Sequence, residues 1–115
     1  MSGARLTTSF WVAAKLRQIQ SAGGYVCILV KGNEEAGAIN LVLRARDGTS
    51  KLAVLAMSTI ETEGDRCFEW RDGPLDDLSL SAFMERELRF DRDQWFIECE
   101  CSNELFEKTF FAAKT

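Results

Sequence analysis

The sequence predicts a single α+β domain over residues 1–115, in which two or three helices pack mainly on one face of an antiparallel sheet of four to five strands. Three patterns carry the prediction. Apolar residues recur every three or four positions in some segments, and they alternate with polar residues in others. Between two alternating segments, Asp47 and Gly48 favour a tight hairpin turn. The elements are expected in the order α-β-β-β-β-α-β, with residues 102–115 as a candidate third helix.

The first helix is expected between a capping hydroxyl at residues 7–9 and the glycines at 23–24. Ser and Thr accept hydrogen bonds from a helix N-terminus, and Gly adopts the backbone geometry that ends a helix. The next segment, 25–30 or YVCILV, is continuously apolar and rich in β-branched residues, which favours a strand covered on both faces. We therefore expect this strand at the centre of the sheet.

The remaining strands follow from alternating polarity and from the turns between them. A polar connection bounded by Gly32 and Gly37 is expected to join the first two strands as a long hairpin, and Asp47 and Gly48 join the second strand to the third. The Asp-Gly-Pro sequence at 72–74 is expected to end the fourth strand in a turn. The strands are expected at residues 38–46, 50–57, 66–71 and 95–101.

The segment 78–101 predicts a helix, a charged turn and a strand in succession. One side of the helix is apolar and should pack on the sheet, because its apolar residues are spaced three and four apart. In the strand, Phe96, Glu98 and Glu100 alternate with apolar residues, which predicts one acidic, exposed face. The apolar side of the helix comprises Leu80, Phe83, Met84 and Leu88.

The amino-acid composition argues against several classes of protein. The net charge of −4 argues against a dedicated nucleic-acid binder, and no apolar run approaches the roughly 20 residues of a membrane span. The N-terminus lacks the pattern of a secretory signal, so we expect a cytoplasmic protein. The chain contains no histidine, which removes the commonest general base. We accordingly expect no catalytic residues, no cofactor, no nucleic-acid partner and no membrane contact.

The four cysteines at positions 27, 67, 99 and 101 are expected to be reduced thiols, three of which serve packing. Cys99 and Cys101 are about 6.6 Å apart on one face of a strand, a spacing unsuited to a mutual disulfide. A four-thiolate zinc site is the alternative. It lacks the paired two-residue spacing that is usual in structural zinc sites, so we expect no bound metal.

Two sets of residues are candidate sites. Charge is unevenly distributed: residues 1–60 carry seven Lys and Arg against three Asp and Glu, whereas residues 61–115 carry seven against fifteen. This asymmetry is compatible with complementary packing inside the monomer, with head-to-tail self-association or with a basic face for an anionic partner. For an anionic ligand, Lys31, Arg44 and Arg46 of the basic first hairpin are the candidate site. Phe96, Phe106 and Phe110 are candidate interface residues, because a short C-terminal helix needs a surface to cover its apolar side. That surface is either the protein's own sheet or a partner, including a second copy in a homodimer.

Three segments carry a resemblance to a known family: RLTTSFWVAAKLR, GNEEAGAI and ERELRFDRDQWFIECE, which together span residues 5–100. In their order and spacing the chain resembles a family of short bacterial proteins, the domain-of-unknown-function family 1491. The family has a proline where this chain has Arg92, so the turn at that position is not expected to be rigid. The resemblance implies a compact fold and cytosolic residence, and it supplies no activity.

Two functions remain open. The first is a non-enzymatic protein-interaction or structural module that uses a sheet edge, the tail helix or an acidic face. The second is a binder or enzyme for a small anionic metabolite at the basic hairpin, with a carboxylate such as Asp91 or Glu98 for proton transfer.

Overall fold

The computed structural model describes residues 6–56 and 66–111, which form an α+β fold of three helices and a five-stranded mixed sheet. The order of elements along the chain, including the third helix, is the predicted one. The segment 58–65 and the last residues of the predicted tail lie outside the described residues. The helices are α1 (Thr8–Ser21), α2 (Asp77–Phe90) and α3 (Asn103–Phe110), and the strands are β1 (Tyr25–Val30), β2 (Ile39–Arg44), β3 (Ser50–Leu55), β4 (Phe68–Leu75) and β5 (Trp95–Glu100).

The strand order is β1-β5-β2-β3-β4, so the last strand of the chain lies between the first two. β5 is antiparallel to β1 and parallel to β2, which makes the sheet mixed. Three predictions are therefore wrong: the sheet is not purely antiparallel, β1 and β2 do not pair as a hairpin, and β1 is an edge strand rather than a central one. The hairpin at Asp47 and Gly48 is confirmed, since β2 and β3 pair antiparallel on either side of it.

The connection between β1 and β2 passes around the start of β5, which makes the insertion of β5 possible. The backbone N–H of Asn33 donates to the carbonyl of Asp93 at 2.9 Å, and that of Trp95 donates to the carbonyl of Ala38 at 2.7 Å. Its two glycines allow this close approach: a Cβ would lie 2.1 Å from the Asp93 oxygen at Gly32 and 2.3 Å at Gly37. These glycines therefore accommodate neighbouring backbone.

Helices cover both faces of the sheet, whereas the sequence predicted helices mainly on one. α1 and α3 share one face with the larger apolar cluster, which includes Trp11 and Phe106. α2 covers the other face with a smaller cluster, in which Phe83 packs against Phe96 with ring centroids 6.3 Å apart. The predicted apolar side of α2 is confirmed. β5 is an interior strand and α2 covers this face, so Phe96 and Glu98 are buried on the side of β5 that was expected to be exposed.

The helix ends follow the capping rules. Thr7 caps α1, and its hydroxyl accepts from the N–H of Phe10 at 3.3 Å. Asp76 caps α2, where its carboxylate accepts from the N–H of Ser79 at 2.8 Å, and this bond lowers the pKa of Asp76. Ser102 caps α3 in the same way. None of the three described helices has the length and hydropathy of a membrane span.

We predict that Phe106→Ala lowers the free energy of unfolding by about 3–5 kcal/mol, because it opens a cavity under α3 where the ring is fully buried. The matched control is Phe90→Ala, since the side chain of Phe90 is 83% exposed. That change should stay within about 0.5 kcal/mol. Urea unfolding measures both; equal losses in the two variants would contradict the described packing of α3.

Candidate functional site

The structure does not bring the three candidate anion-binding residues together. Lys31 follows β1 at the end of the sheet where β2 begins, whereas Arg44 ends β2, about 17 Å away along the strands. Lys31 forms an exposed ion pair with Glu34 at 3.0 Å. Arg46 lies exposed beyond β2 and lines a small cavity with Arg44 and Glu100. The acidic Glu100 beside the arginines weakens any anion site there.

The charge of Arg44 is used inside the fold. Its Nε donates to the carboxylate of Glu98, a buried residue, and its Nη2 donates to Asp77 at 3.0 Å. Hydrogen bonds to Glu98 and then to Asp77 raise the pKa of Arg44. Its Nη1 also donates to the carbonyl of Gly48 at 3.1 Å. Arg44 therefore neutralises a buried carboxylate and ties β2 to β5, the hairpin turn and α2.

The three candidate interface phenylalanines lie in the interior. Phe96 and Phe106 are fully buried and Phe110 is 1% exposed. Phe96 lies under α2, and the other two pack with the aromatic residues of α1 and β4. The tail helix thus covers the protein's own sheet, and these side chains offer no surface to a partner.

The cysteine side chains differ in how deeply they are buried. Cys99 is fully buried in β5, while Cys27 and Cys101 are partly buried free thiols. Burial raises the pKa of Cys99 to about 12, with further contributions from Cys101 and Glu98. Within residues 6–56 and 66–111, no three Cys, Asp or Glu side chains are grouped closely enough to hold a metal ion.

A cleft of about 760 Å³ lies at the end of the sheet where β2 begins and β3 ends. Its buried amides bond to each other and to backbone: Asn40 donates to the side chain of Gln94 at 3.0 Å, and Gln94 donates to the carbonyl of Glu87 at 2.9 Å. Charged residues of both signs line it, including Arg71 and Asp91. These side chains hold β2, β5 and α2 together, and the mixed charge indicates no class of ligand.

The two edges of the sheet differ in kind. β4 is a poor template for another strand, because it carries charges at Glu69, Arg71 and Asp72, contains Pro74 and has two irregularities in its pairing with β3. The predicted turn at 72–74 lies within this strand. Phe111, after α3, also forms a bridge to Phe68 at the start of β4. This edge is protected against further pairing.

β1 forms the opposite edge of the sheet. It carries neither charged residues nor a proline that would hinder pairing with another strand. Its partner among the described residues is β5 alone, which leaves the outer backbone groups of β1 facing outwards. Large apolar side chains on it are exposed, Tyr25 by 59%, Ile28 by 44% and Leu29 by 38%. A single bulge at Leu29 interrupts the pairing of β1. No charged side chain occurs between residues 18 and 30.

An apolar groove of about 500 Å³ adjoins the end of β1 on the α2 side. Val30 and Leu88 supply its apolar lining, and Glu85, Arg89 and Arg92 surround them. Val30, at the sheet edge, is partly buried in the smaller cluster. The edge of β1 and this groove form a continuous apolar surface, which we call the β1 edge site. This surface was not among the predicted sites. The uncharged run at 18–30 was its signal in the sequence.

Comparisons with known proteins give a family and a fold. The model of the family described as "Protein of unknown function (DUF1491)" matches residues 6–106. The solution structure of protein Atu0922 from A. tumefaciens is 31% identical, with a TM-score of 0.80 over 97% of this chain and 98% of that one. A crystal structure of a DUF1491 family protein from Caulobacter crescentus is 29% identical, with a TM-score of 0.69 over 85% of this chain and 88% of that one. No curated protein matches the sequence.

We predict that Arg44→Met destabilises the fold by about 1–3 kcal/mol, since it leaves the buried carboxylate of Glu98 without its cation. Asp77→Asn is the control, because that carboxylate is exposed and should contribute little. Urea unfolding of the two variants at neutral pH checks this. If the double variant Arg44→Met with Glu98→Gln is no more stable than Arg44→Met alone, the unpaired carboxylate is not the cause.

The raised pKa of Cys99 predicts a loss of stability at alkaline pH. The unfolded thiol ionises near its ordinary value of 9.0, whereas the folded protein keeps its proton up to about 12. The contribution is therefore fully present below pH 9 and is lost as the pH rises towards 12. The free energy of unfolding of the wild type should decline more steeply above pH 9 than that of Cys99→Ala. Parallel declines would show that Cys99 is not the group responsible.

Proposed function

The chain belongs to the DUF1491 family, whose function is unknown, and we propose that it is a cytosolic, non-enzymatic interaction module that binds an additional β-strand at the β1 edge site. The single observation that carries the proposal is the contrast between the two edges of its sheet. One edge has charges, a proline and a covering residue, and the other presents uncharged apolar side chains to solvent. Proteins usually protect an exposed edge, so an unprotected apolar one indicates a binding surface.

Strand addition uses groups that β1 already presents. An incoming strand would satisfy the outward N–H and C=O groups, and each such hydrogen bond contributes about 1 kcal/mol net. Alternate side chains of the incoming strand would contact Ile28 on one face of the sheet and the groove beside Val30 on the other. Main-chain bonds would supply affinity and these contacts specificity. The metabolite-binding alternative has less support, because Arg44 is committed to Glu98 and Asp77 and lies far from Lys31.

Site-specific photo-crosslinking in cells tests the proposal. A photoreactive phenylalanine analogue replaces Tyr25 on the β1 edge or, as the matched control, Glu69, which is also exposed to solvent on β4. We expect crosslinked products from position 25 and not from position 69. Adding Ile28→Lys to the same chain should abolish them, because an incoming apolar strand would then face a charge.

Two results would contradict binding of a strand at the β1 edge site. Crosslinking at similar yield from positions 25 and 69 would indicate nonspecific collision. An absence of products from position 25, in a chain shown by circular dichroism to be folded, would remove the β1 edge site as an interaction surface.

A further inference from the structure

We infer that the strand bound at the β1 edge site is β1 of a second copy of this chain, in a closed dimer whose two-fold axis passes beside Cys27. The inference rests on the proposed function, because it names the occupant of the same edge. It depends on three features of the described residues: the self-complementary faces of β1, the groove beside Val30, and the protection of the β4 edge.

The faces of β1 are fixed by its pairing with β5. Val26 and Ile28 pair with residues of the larger cluster, on the α1 and α3 side, and Tyr25 and Cys27 pair with Glu100 and Glu98 on the α2 side. Directly opposed residues of antiparallel strands point to the same face. When two copies of β1 are antiparallel, a two-fold axis at Cys27 satisfies this rule. It places Cys27 opposite Cys27 of the second copy and Val26 opposite Ile28.

The bulge at Leu29 extends the pairing between the two copies of β1 by one further pair of residues. In the pairing with β5, the register skips Leu29 and continues at Val30, which faces the α2 side opposite Phe96. The same skip on the outer edge of β1 places Tyr25 of the second copy opposite Val30, with both side chains on the α2 side. The groove of Val30 and Leu88 lies there, so the aromatic ring of that Tyr25, 59% exposed in one copy alone, gains an apolar pocket.

Charge and closure favour a pair of copies. Residues 18–30 carry no charge, so the paired strands place no like charges opposite each other despite the net charge of −4 on each copy. Head-to-tail addition of β1 to β4 would give an open filament, but Pro74 and the bridge from Phe111 obstruct that edge. Pairing of β1 with β1 uses the same patch on both copies. It closes after two and joins the sheets into one of ten strands.

Sedimentation equilibrium and native mass spectrometry of the full chain test the inference. We expect a monomer–dimer equilibrium with a dissociation constant between about 1 and 500 µM, as for a small, transient interface. Ile28→Lys and, independently, Leu29→Glu should shift the equilibrium to monomer while circular dichroism shows an intact fold. Tyr25→Ala should raise the dissociation constant about tenfold, as loss of an aromatic anchor does, whereas Tyr25→Phe should retain the dimer. Leu78→Lys, on an exposed position of α2, is the control that should remain dimeric.

Oxidation tests the register. Diamide accepts two electrons and two protons as two Cys27 thiols form one disulfide, and peptide mapping should find Cys27 joined to Cys27 of the second copy. Cys27→Ser should abolish the covalent dimer. A dimer that forms its crosslink through Cys101, or that withstands Ile28→Lys, would overturn the register. A monomer throughout the range would overturn the inference; if position 25 still crosslinks to a different protein, the β1 edge site stands and the second copy is the part that fails.

Discussion

The structure depends on the insertion of β5 between β1 and β2. Backbone pairing holds β5 on both sides, antiparallel to β1 and parallel to β2, and the connection between those two strands passes around its start. The indole Nε1 of Trp95 donates to the carbonyl of Asn33 at 2.9 Å, so a side-chain hydrogen bond also holds this connection against β5. Because β5 lies between β1 and β2 and not outside β1, the outer edge of β1 has no partner strand among the described residues, and the proposed function rests on that edge.

The same placement explains the charged pair inside the protein. β5 is an interior strand of a sheet with helices on both faces, so the carboxylate of Glu98 is buried and needs a cation. Arg44 reaches it from β2, and Asp77 at the start of α2 shares the guanidinium. A residue that looked like a contact for an external anion is thus a counter-ion for an internal one. This is why its high pKa indicates structure rather than catalysis.

Local features were predictable from sequence, and partners between distant segments were not. The hydroxyl cap at residues 7–9 and the turn at Asp47 and Gly48 act over a few residues, and both were predicted. Strand order was left open, with β5 at either edge or beside β1, because alternation defines the faces of a strand but not its neighbours. The apolar segment YVCILV was taken for a central strand on the rule that continuous apolarity means cover on both faces. In the structure its exposed residues have no such cover, so this rule failed at the proposed binding surface.

Amide hydrogen exchange as a function of protein concentration observes the outer backbone groups of β1 themselves, and so reports whether this edge pairs with another strand. If β1 pairs with β1 of a second copy, amides in residues 25–28 exchange more slowly as concentration rises, while those of β4 show no change and those of β5 stay slow at every concentration. Exchange in β1 that is independent of concentration would contradict self-pairing at this edge. Fast exchange throughout β5 would contradict its place between β1 and β2.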